Sequence, residues 1–461
     1  MSFDFPKNWK QVVLEDALDA LIDYRGKTPK KVDKGIPLIT AKVVKSGRIL
    51  PMDEFIADED YESWMVRGIP QISDIVVTTE APLGEVAQIK NANVALAQRI
   101  VTLRGKVDFL ENDFLLFLMQ SDFVQNQLEA RATGSTVKGI KQSELRKIIL
   151  PIPPIVEQKC IGKILSDLDD KIHLNNQINQ TLESIAQAIF KSWFIDFDPV
   201  RAKITAKQEG KDTELAAMCA ISSKSEVEIQ QMSDDDFTEL QATAALFPDE
   251  LVESELGEVP KGWEISKISK IGKVITGKTP SSKIENSFAE KGTFFITPTD
   301  IDTEVFVTNT NRYLSEYGEI AIKNSKVDEG SLCITCIGSQ MGKVVITPKS
   351  AFTNQQINSI LLFNSTLRNY IFLNLRQRRD EIFLIGSGGS TMPIINKSTF
   401  ESLNLILPDL ALIRKFDNFI SPFFNNILSN SVENIELKNI RDALLPELLA
   451  GKINVSMLKD M

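Results

Sequence analysis

Hydrophobic residues follow two patterns that alternate along the chain. Short β-branched runs, such as Ile75–Thr79 and Leu332–Thr335, lie among Gly and Pro residues and are typical of β-strands. Helical stretches such as Phe109–Leu128 occur in the same regions. Two much longer helical patterns, Val156–Phe194 and Leu410–Leu449, come after these regions. The sequence therefore predicts an α+β protein with two modules, each α/β or mainly β, and a long helix after each.

Prolines predict where the long helices begin and where the second one breaks. Three prolines between positions 151 and 154 precede the first helix, and Pro199 follows its end. Pro422 and Pro446 lie inside the second helical pattern. A proline removes a backbone hydrogen bond, and its ring clashes with the preceding turn. We therefore predict a kink or an interruption at both positions.

Both long helices carry a seam with the 3.5-residue period of a coiled coil. The first seam comprises Ile161, Leu165, Leu168, Ile172, Asn175, Asn179, Leu182, Ala186 and Ile189. The second comprises Phe416, Phe419, Phe423, Ile427, Asn430, Asn434, Leu437, Leu444 and Leu448. Each seam is interrupted midway by two Asn residues, and a buried Asn fixes register and pairing. We predict that the two helices pair as an antiparallel coiled coil; the alternative is that each packs on its own module with its Asn residues in solvent.

The two halves of the chain repeat a series of short segments in the same order, at an offset of 251 to 258 residues. The paired segments are Pro6–Trp9 with Pro260–Trp263, Gly26–Pro29 with Gly277–Pro280, Gly35–Thr40 with Gly292–Thr297, Asp74–Val86 with Ser331–Val344, Gln98–Ile100 with Gln355–Ile357, Gly134–Thr136 with Gly389–Thr391, and Leu150–Pro151 with Leu407–Pro408. Such a repeat indicates a tandem duplication. It predicts the following domains: a first module at 1–153, a long helix at 154–198, an acidic linker at 199–258, a second module at 259–408, and a second long helix with a C-terminal tail at 409–461.

The net charge of -10 comes from one segment of the chain. Glu209–Glu258 holds fourteen Asp or Glu against two Lys, and we predict a surface loop for Ala202–Leu251. By contrast, Lys27–Arg48 holds seven basic residues and one acidic residue. Such a basic run is either a solvated face or a surface that meets a phosphate backbone.

The remaining composition is typical of a soluble cytoplasmic protein. Hydrophobic residues make up 43% of the chain and charged residues 25%. The four cysteines are too few and too scattered for a disulfide framework, and no run approaches the roughly 20 apolar residues of a membrane helix. We therefore expect a cytoplasmic location without a membrane partner.

Few residues have the spacing of a catalytic or metal site. The single histidine, His173, falls in the first long helix, which favours a structural role. Gly272–Thr279 matches the P-loop pattern, but Pro280 follows at once and the preceding residues are half polar, so we predict no nucleotide site there. Cys333 and Cys336 lie in an apolar run without further ligands, and we interpret them as buried strand residues. Any methyl transfer should belong to a partner, because no methyltransferase motif is found in the sequence.

The order of these segments resembles that of the type I restriction-modification specificity subunits. Each half begins near a Trp, at Trp9 and Trp263, and continues with Gly-Lys-Thr-Pro, Gly-Ser-Thr, a strand that ends in Leu-Pro, and a long helix. Lys191–Val200, Glu253–Trp263 and Leu444–Lys452 resemble the joins at the ends of that family's two halves. The resemblance covers essentially the whole chain.

This resemblance implies a non-catalytic DNA-recognition subunit. Its two target-recognition domains would each read one part of a split, asymmetric site in double-stranded DNA. Its helices would set the spacing and dock two methyltransferase subunits that methylate adenine, and restriction subunits would join them. S-adenosylmethionine, ATP and Mg²⁺ would then be used by those partners, with no cofactor or metal in this chain.

If the resemblance holds, Lys and Arg should contact phosphates, and Arg, Lys, Asn, Gln, Ser and Thr should contact bases. The candidates are Lys27, Lys30, Lys31, Lys42, Lys45, Lys138 and Lys141 in the first module, and Lys278, Lys283, Gln340, Lys343 and Thr391 in the second. Two alternatives stay open at this point. One is a protein-binding scaffold with duplicated domains, and the other is a single-chain restriction enzyme.

Overall fold

The chain divides into two units that each combine one module with parts of both long helices. The computed structural model describes residues 5–134, 137–388, 393–453 and 455. Unit 1 comprises Met1–His173 and Ile435–Met461, and unit 2 comprises Leu174–Asn434. The long helices α6 (Ile155–Phe194) and α16 (Leu410–Leu449) therefore each pass from one unit into the other.

The module of unit 1 is built on a four-stranded antiparallel sheet. Its strands are β1 (Lys10–Val13), β2 (Leu18–Asp23), β3 (Ile36–Ile39), β4 (Val44–Lys45), β5 (Arg48–Ile49), β6 (Phe55–Ile56), β7 (Ile75–Thr79), β8 (Leu83–Gln88), β9 (Ala95–Leu96), β10 (Ile100–Gly105) and β11 (Ile149–Ile152). Its shorter helices are α1 (Leu14–Ala17), α2 (Tyr61–Trp64), α3 (Asn112–Gln120), α4 (Asp122–Arg131) and α5 (Gln142–Leu145), with a 3-10 turn at Asp58–Asp60. The main sheet has the order β2-β10-β7-β8, β3 lies between β6 and β9, β4 pairs with β5, and β1 pairs with β11.

In unit 2, the end of α6 is followed by a helical insert and then by the second module. The insert comprises α7 (Asp198–Gln208), α8 (Thr213–Ser222), α9 (Glu226–Gln230) and α10 (Asp234–Ala244), followed by the hairpin β12 (Leu251–Ser254) and β13 (Gly257–Pro260). The module's strands are β14 (Glu264–Lys267), β15 (Gly272–Thr276), β16 (Phe288–Ala289), β17 (Thr293–Ile296), β18 (Tyr313–Leu314), β19 (Lys326–Val327), β20 (Leu332–Thr335), β21 (Val344–Ile346), β22 (Ala351–Thr353), β23 (Ile357–Leu362) and β24 (Asn404–Leu407). Its helices are α11 (Ile268–Ile271), α12 (Glu316–Ala321), α13 (Arg368–Gln377), α14 (Arg379–Ser387) and α15 (Lys397–Glu401), with 3-10 turns at Pro298–Asp300, Lys323–Ser325 and Ser365–Leu367.

The sheets confirm the tandem duplication. The main sheet of unit 2 has the order β15-β23-β20-β21, which repeats β2-β10-β7-β8 strand for strand. The parallel pair β3 and β9 recurs as β17 and β22, and the pair β1 and β11 recurs as β14 and β24. The predicted α+β class with two duplicated modules is therefore correct.

Both main sheets are buried on their two faces. In β7, Ile75 and Val77 pack into the core that contains α3, whereas Val76 packs into a second core beneath β3 and β9. In β20, Leu332 and Cys333 divide between two cores in the same way. Successive strand residues point to opposite faces, so a continuous apolar run is what a sheet covered on both sides requires.

The predicted antiparallel pairing of the long helices is confirmed within unit 2. Asn175 Nδ2 donates to Asn434 Oδ1 at 3.0 Å, and Asn430 Nδ2 donates to Asn179 Oδ1 at 2.9 Å. Asn175 and Asn434 are 1% and 4% exposed, so this pair is in the interior and not in solvent. Residue numbers rise along one helix as they fall along the other, which defines the antiparallel direction.

The two helices also meet within unit 1. The guanidinium of Arg441 on α16 lies 2.7 Å from the Asp169 carboxylate on α6. Nearer the module, Leu448 belongs to the same core as Ile161 and Leu165. The direction is again antiparallel, because the later residue of α16 lies near the earlier residues of α6.

Two expectations for α16 are wrong. The helix continues through Pro422 and Pro446 without interruption. The seam expected to include Phe419 instead shifts to a face with Phe416, Ile420, Phe424 and Ile427, all buried in the core of the second module, while Phe419 is 52% exposed. Burial of these four side chains, at roughly 1.5–3 kcal/mol each, exceeds the roughly 3 kcal/mol that Pro422 costs. Beside Pro446, Leu448 and Leu449 are buried in the core of unit 1.

The expected surface loop over Ala202–Leu251 is also wrong, because the segment is mostly helical. Asp212, Ser225 and Ser233 accept hydrogen bonds from backbone amides at the starts of α8, α9 and α10. Acidic residues fill the first turns of these helices, where the helix dipole favours negative charge. A small core around Met218 and Ile229 then closes the insert. Much of the acidic charge therefore stabilises helix starts.

No helix in the described part of the chain is both long and apolar enough to cross a membrane.

Candidate nucleic-acid interface

One edge of the main sheet in unit 1 collects several of the repeated sequence segments. Strands β2 and β7 flank β10, and each is antiparallel to it, so they run parallel to each other and end at the same edge. The register places Val101 opposite both Asp23 and Val77. The loop that holds Gly26–Pro29 follows β2 at this edge, and Arg99 precedes β10 there. We call this surface edge 1.

The loop between α4 and α5 closes onto edge 1. Arg25 donates from Nη1 to the carbonyl oxygen of Ile140 at 2.7 Å, and the Ile140 amide donates to the carbonyl oxygen of Thr79 at 3.0 Å. Thr133 and Gly139 exchange two backbone hydrogen bonds at the base of the loop. Segments that lie more than 100 residues apart in sequence are thereby joined at one end of the sheet.

Edge 1 is rich in basic side chains. Lys27, Lys30 and Lys141 are exposed, and no carboxylate within the described residues forms an ion pair with any of them. Lys138 forms an ion pair with the exposed carboxylate of Glu129. Arg99 has a left-handed backbone with φ of 71°, and its side chain is 51% exposed and 3.8 Å from the Glu80 carboxylate. The edge therefore presents several cations in positions that solvent, or a ligand, can reach.

The corresponding surface of unit 2, which we call edge 2, is built by the same strand ends. The Gly277 amide donates to the Ile357 carbonyl at 3.0 Å, and the Lys278 amide donates to the Thr353 carbonyl at 2.9 Å. A Cβ at position 277 would lie 2.2 Å from the carbonyl oxygen of Asn354. Only glycine allows the backbone to approach so closely, which explains the glycine of this Gly-Lys-Thr-Pro segment.

Amide side chains replace much of the positive charge at edge 2. Gln356 stands where the repeat places Arg99, and the exposed Gln355 accepts a hydrogen bond from the Thr279 hydroxyl at 2.8 Å. Gln340 and Lys278 are exposed beside them. The two edges thus share a backbone arrangement but differ in the chemistry of their side chains.

A helix beside each edge shows the same contrast. On α4, Gln125, Asn126 and Gln127 lie between the buried Val124 and Leu128. The equivalent residues of α14 are the apolar Phe383, Leu384 and Ile385, and each is at least 38% exposed. Hydrogen bonding from the Ile394 amide to the Gly386 carbonyl holds this helix against the edge-2 loop. Edge 2 therefore adds an exposed apolar surface that edge 1 lacks.

Several predicted site residues lie away from the edges or are engaged in ion pairs. Lys31 forms an ion pair with Glu54, and Lys42 forms one with Asp53, each at 2.7 Å; the hydrogen bond to Asp53 raises the pKa of Lys42. The exposed side chain of Lys45 belongs to β4. The exposed Lys283 follows the Gly-Lys-Thr-Pro segment of edge 2.

Two further candidates for DNA contact are Lys343 and Thr391. Lys343 lies at edge 2, but its side chain is only 15% exposed and forms an ion pair with Asp302 at 2.8 Å. Thr391 lies outside the described residues. Conversely, Arg99, Gln355 and Gln356 were not among the predicted contacts. Their signal was the repeated Gln98–Ile100 segment, whose position at a sheet edge was not evident from the sequence.

Residues with possible catalytic chemistry serve the fold instead. Burial raises the pKa of Cys333 to about 12 and that of Cys336 to about 11, so both thiols stay protonated, with Ser359 and Asn358 as their hydrogen-bond partners. Burial also lowers the pKa of His173. Within the described residues, no group of three or more His, Cys, Asp or Glu has metal-binding geometry.

The segment that matches the P-loop pattern is part of the sheet. Gly272–Thr276 forms β15, which pairs with β23 along its whole length. Backbone amides that are paired in a sheet do not cradle a phosphate in the way that a P-loop does. This geometry agrees with the prediction that the segment is not a nucleotide site.

Comparison with known proteins places both units in one family. A family model described as the type I restriction modification DNA specificity domain matches residues 6–184 and again 260–439. The type I restriction enzyme HindI specificity subunit of Haemophilus influenzae is 38% identical over 376 residues, which cover 78% of this chain and 82% of that protein. The MjaIX specificity subunit of Methanocaldococcus jannaschii is 26% identical over 470 aligned positions, which cover 98% and 95% of the two chains.

A solved structure supports the fold. The crystal structure of the type I restriction-modification system S subunit from M. genitalium is 14% identical to this chain, with a TM-score of 0.56 over 97% of this chain and 98% of that one. The two matched segments of the family model coincide with the duplicated halves recognised in the sequence. The chain therefore belongs to the type I restriction-modification specificity-subunit family.

Proposed function

We propose that this chain selects the DNA site of a type I restriction-modification complex, with edge 1 and edge 2 as the two reading surfaces. The observation that carries the proposal is the pair of equivalent sheet edges with unlike side chains. Because their backbones are equivalent, the two edges can approach DNA in the same way. Because their side chains differ, the two edges should prefer different base sequences. The target is accordingly a split site with two different halves, read by domains at 1–153 and 259–408.

The side chains at each edge indicate which bases each half prefers. Arginine and lysine pair with the O6 and N7 acceptors of guanine, and Arg99 and Lys27 offer such donors at edge 1. Glutamine pairs with N6 and N7 of adenine, and apolar side chains contact the thymine methyl group. Gln356 and Leu384 offer these contacts at edge 2. We infer a half-site that contains guanine for the first module and one richer in A·T for the second.

The exposed lysines have the second task of holding the duplex. Lys30, Lys138 and Lys141 at edge 1, and Lys278 and Lys283 at edge 2, are suited to phosphate contacts, which orient DNA but carry no sequence information. The remaining candidates, Lys31, Lys42, Lys45, Lys343 and Thr391, belong to this proposal as weaker contributors.

Chemistry on the DNA belongs to partner subunits in this proposal. Two methyltransferase subunits that use S-adenosylmethionine would methylate adenine, and restriction subunits that use ATP and Mg²⁺ would cleave. The chain itself would be non-catalytic and would work in the cytoplasm. Its paired helices α6 and α16 would provide the docking surface for the methyltransferase subunits.

The test is sequencing of modified bases in DNA from cells that express this chain with its neighbouring methyltransferase subunit. We expect methyladenine in a split, asymmetric motif that disappears when this chain is omitted. A stable complex that methylates no motif would contradict the proposal and favour a protein scaffold. Methylation by this chain alone would instead favour a single-chain enzyme.

Binding to a duplex provides an independent check. Affinity that falls steeply with salt is expected, since each neutralised phosphate releases counterions. Salt-independent binding would count against phosphate contacts at both edges.

A further inference from the structure

Glu80 places a carboxylate on edge 1, a surface that is otherwise rich in cations. It directly follows β7, and its backbone pairs with Gly139 in the loop that closes onto this edge. Its side chain is 45% exposed. A carboxylate repels DNA phosphates, so phosphate contact does not account for its presence on a proposed reading surface.

The backbone holds Glu80 beside Arg99. The Thr79 amide donates to the Arg99 carbonyl oxygen at 2.8 Å, which joins the end of β7 to the residue before β10. Arg99 Nε lies 3.8 Å from Glu80 Oε1, and this distance is too long for a hydrogen bond. Neither side chain forms a hydrogen bond with another described residue. Both groups are therefore held at one place and remain able to bind a ligand.

The fold does not need this pair of charges. An exposed ion pair contributes little to stability, because water screens both groups. In unit 2, the repeat places Ile337 at the position of Glu80 and Gln356 at that of Arg99. Ile337 forms the equivalent backbone bridge, with Ile394. The same backbone arrangement thus forms with uncharged side chains, so the charges of edge 1 serve a role other than folding.

A guanidinium beside a carboxylate complements one G·C base pair. In the major groove, guanine presents the acceptors O6 and N7, and cytosine presents the amino group N4 as a donor. Guanine O6 and cytosine N4 are neighbours in the groove, because they pair with each other. Arginine donates to O6 and N7 of guanine, and a carboxylate accepts from N4 of cytosine. The two side chains can therefore bind both bases of one pair.

Other base pairs fit this arrangement less well. A C·G pair would place the amino donor against Arg99 and the O6 acceptor against Glu80. A T·A pair presents O4 and N6 in the favourable order, but the thymine methyl group stands where guanine has N7. The second donor of Arg99 then has no acceptor.

We propose that Arg99 and Glu80 read one G·C base pair on both strands, with Arg99 on O6 and N7 of guanine and Glu80 on the N4 amino group of the paired cytosine. The inference rests on the proposed function and adds to it the base that Glu80 selects. Because the two charges lie in a fixed order along the edge, they also select the strand that carries the guanine.

The first test measures binding of the complex of the full chain with its methyltransferase subunit to a duplex that carries the methylated motif. N4-methylcytosine replaces each cytosine of the first half-site in turn, because its methyl group takes the place of the hydrogen that Glu80 would bind. We expect one position at which this replacement weakens binding by about tenfold. In the Glu80→Ala complex, the same replacement should change the affinity little.

Modified-base sequencing provides a second readout. With Glu80→Ala, discrimination against T·A and C·G at one position of the first half-site should fall by about tenfold, and the second half-site should stay the same. Glu15→Ala is the matched control. Glu15 is an exposed carboxylate 2.8 Å from the Arg146 guanidinium, and it precedes the start of β2, at the end of the strand opposite edge 1. This control should leave the motif unchanged.

Binding that no N4-methylcytosine weakens would overturn this inference, and so would a Glu80→Ala motif identical to that of the parent. Glu80→Ala that lowered methylation of all sequences alike would overturn it too, since that result indicates a structural role. A first half-site without a G·C pair would have the same meaning. In each of these cases, a split motif methylated with the parent chain leaves the proposed function standing. If the parent selected no motif, the proposed function would fail, and this inference with it.

Discussion

Unit 1 and unit 2 share a sheet order but use different side chains at equivalent places. In unit 2 the helix ends meet the module through aromatic rings, with Phe194 and Phe416 at a centroid distance of 5.0 Å and in edge-to-face geometry. In unit 1 the equivalent positions are aliphatic, namely Leu449 and Ile161, and both are buried. The interior thus tolerates a change of shape as long as apolar volume fills the space.

The two edges differ in the chemical class of their side chains, whereas the two interiors do not. The interior substitutions keep the apolar class, whereas the edge substitution of Arg99 by Gln356 changes charge and hydrogen-bond chemistry. Packing constrains the first kind of position, whereas the positions at the edges accept side chains of different charge. The duplicated scaffold and the side chains of the proposed reading surfaces therefore vary separately.

The largest expected loss of stability comes from removing the aromatic contact of unit 2. Phe416→Ala should destabilise unit 2 by about 3–5 kcal/mol, because it removes a fully buried ring and leaves a cavity. Hydrogen exchange should show lost protection in β20 and β23 but not in β7 and β10. The counterpart Ile161→Ala should do the reverse. Equal loss of protection in both units would show that they do not unfold separately.

The next effect concerns the buried Asn pair of unit 2. Asn434→Leu should cost about 1–3 kcal/mol, because Asn175 Nδ2 loses one of its two acceptors and keeps only Glu433 Oε2, while Asn176 Oδ1 loses the hydrogen bond that Asn434 Nδ2 donates. The double variant Asn175→Leu/Asn434→Leu should recover much of this loss, since two apolar groups replace two polar ones. Denaturant unfolding of both variants is the measurement. A double variant less stable than Asn434→Leu would contradict this account.

Exchange of edge chemistry should alter recognition with little effect on stability. Gln356→Arg and Arg99→Gln should each shift base preference in one half of the methylated motif, by about 1–3 kcal/mol of discrimination. Modified-base sequencing reports both halves at once, so the untouched half is an internal control. A change that appeared in both halves would argue against separate reading surfaces.

The smallest expected effect is a pH dependence confined to unit 2. Burial raises the pKa of the Glu183 carboxyl, and the nearby guanidinium of Arg376, at 2.8 Å, only partly opposes this. The folded unit then holds more protons than the unfolded chain at pH values just above the ordinary pKa of 4.5, so stability falls as pH rises through that window. Glu183→Gln should flatten this slope in unfolding curves. An unchanged slope would mean that other groups cause the pH dependence. One such group is Asp417, because burial also raises its pKa.

Local sequence patterns predicted the parts of the fold that depend on local geometry. The Asn pair was predictable because helix periodicity alone places Asn175 and Asn179 on the seam. The exposure of Phe419 was not, because the choice between two apolar faces of α16 depends on packing against the second module. The helical insert was not predicted because a high density of charge is typical of a surface loop, whereas here polar residues such as Asp212 and Ser225 cap helices.

The candidate site was harder to predict for a related reason. Lys27 and Lys278 were identified because they belong to repeated segments with evident positive charge. Arg99 and Gln356 were missed because their position depends on which strands are neighbours in the sheet. That strand order joins residues far apart in sequence, and no short-range pattern encodes it.

The division of the chain also has a consequence during synthesis. Unit 1 contains both the first residues of the chain and Ile435–Met461, whereas unit 2 is one continuous stretch, Leu174–Asn434. The ribosome makes the first module early, yet the segment that carries Leu448 and Leu449 into its core is made only after unit 2. At about 5–20 residues per second, the first module waits on the order of 10 to 50 seconds for that segment. The module that is synthesised first is therefore completed only after unit 2, and until then its core lacks the cover that Leu448 and Leu449 provide.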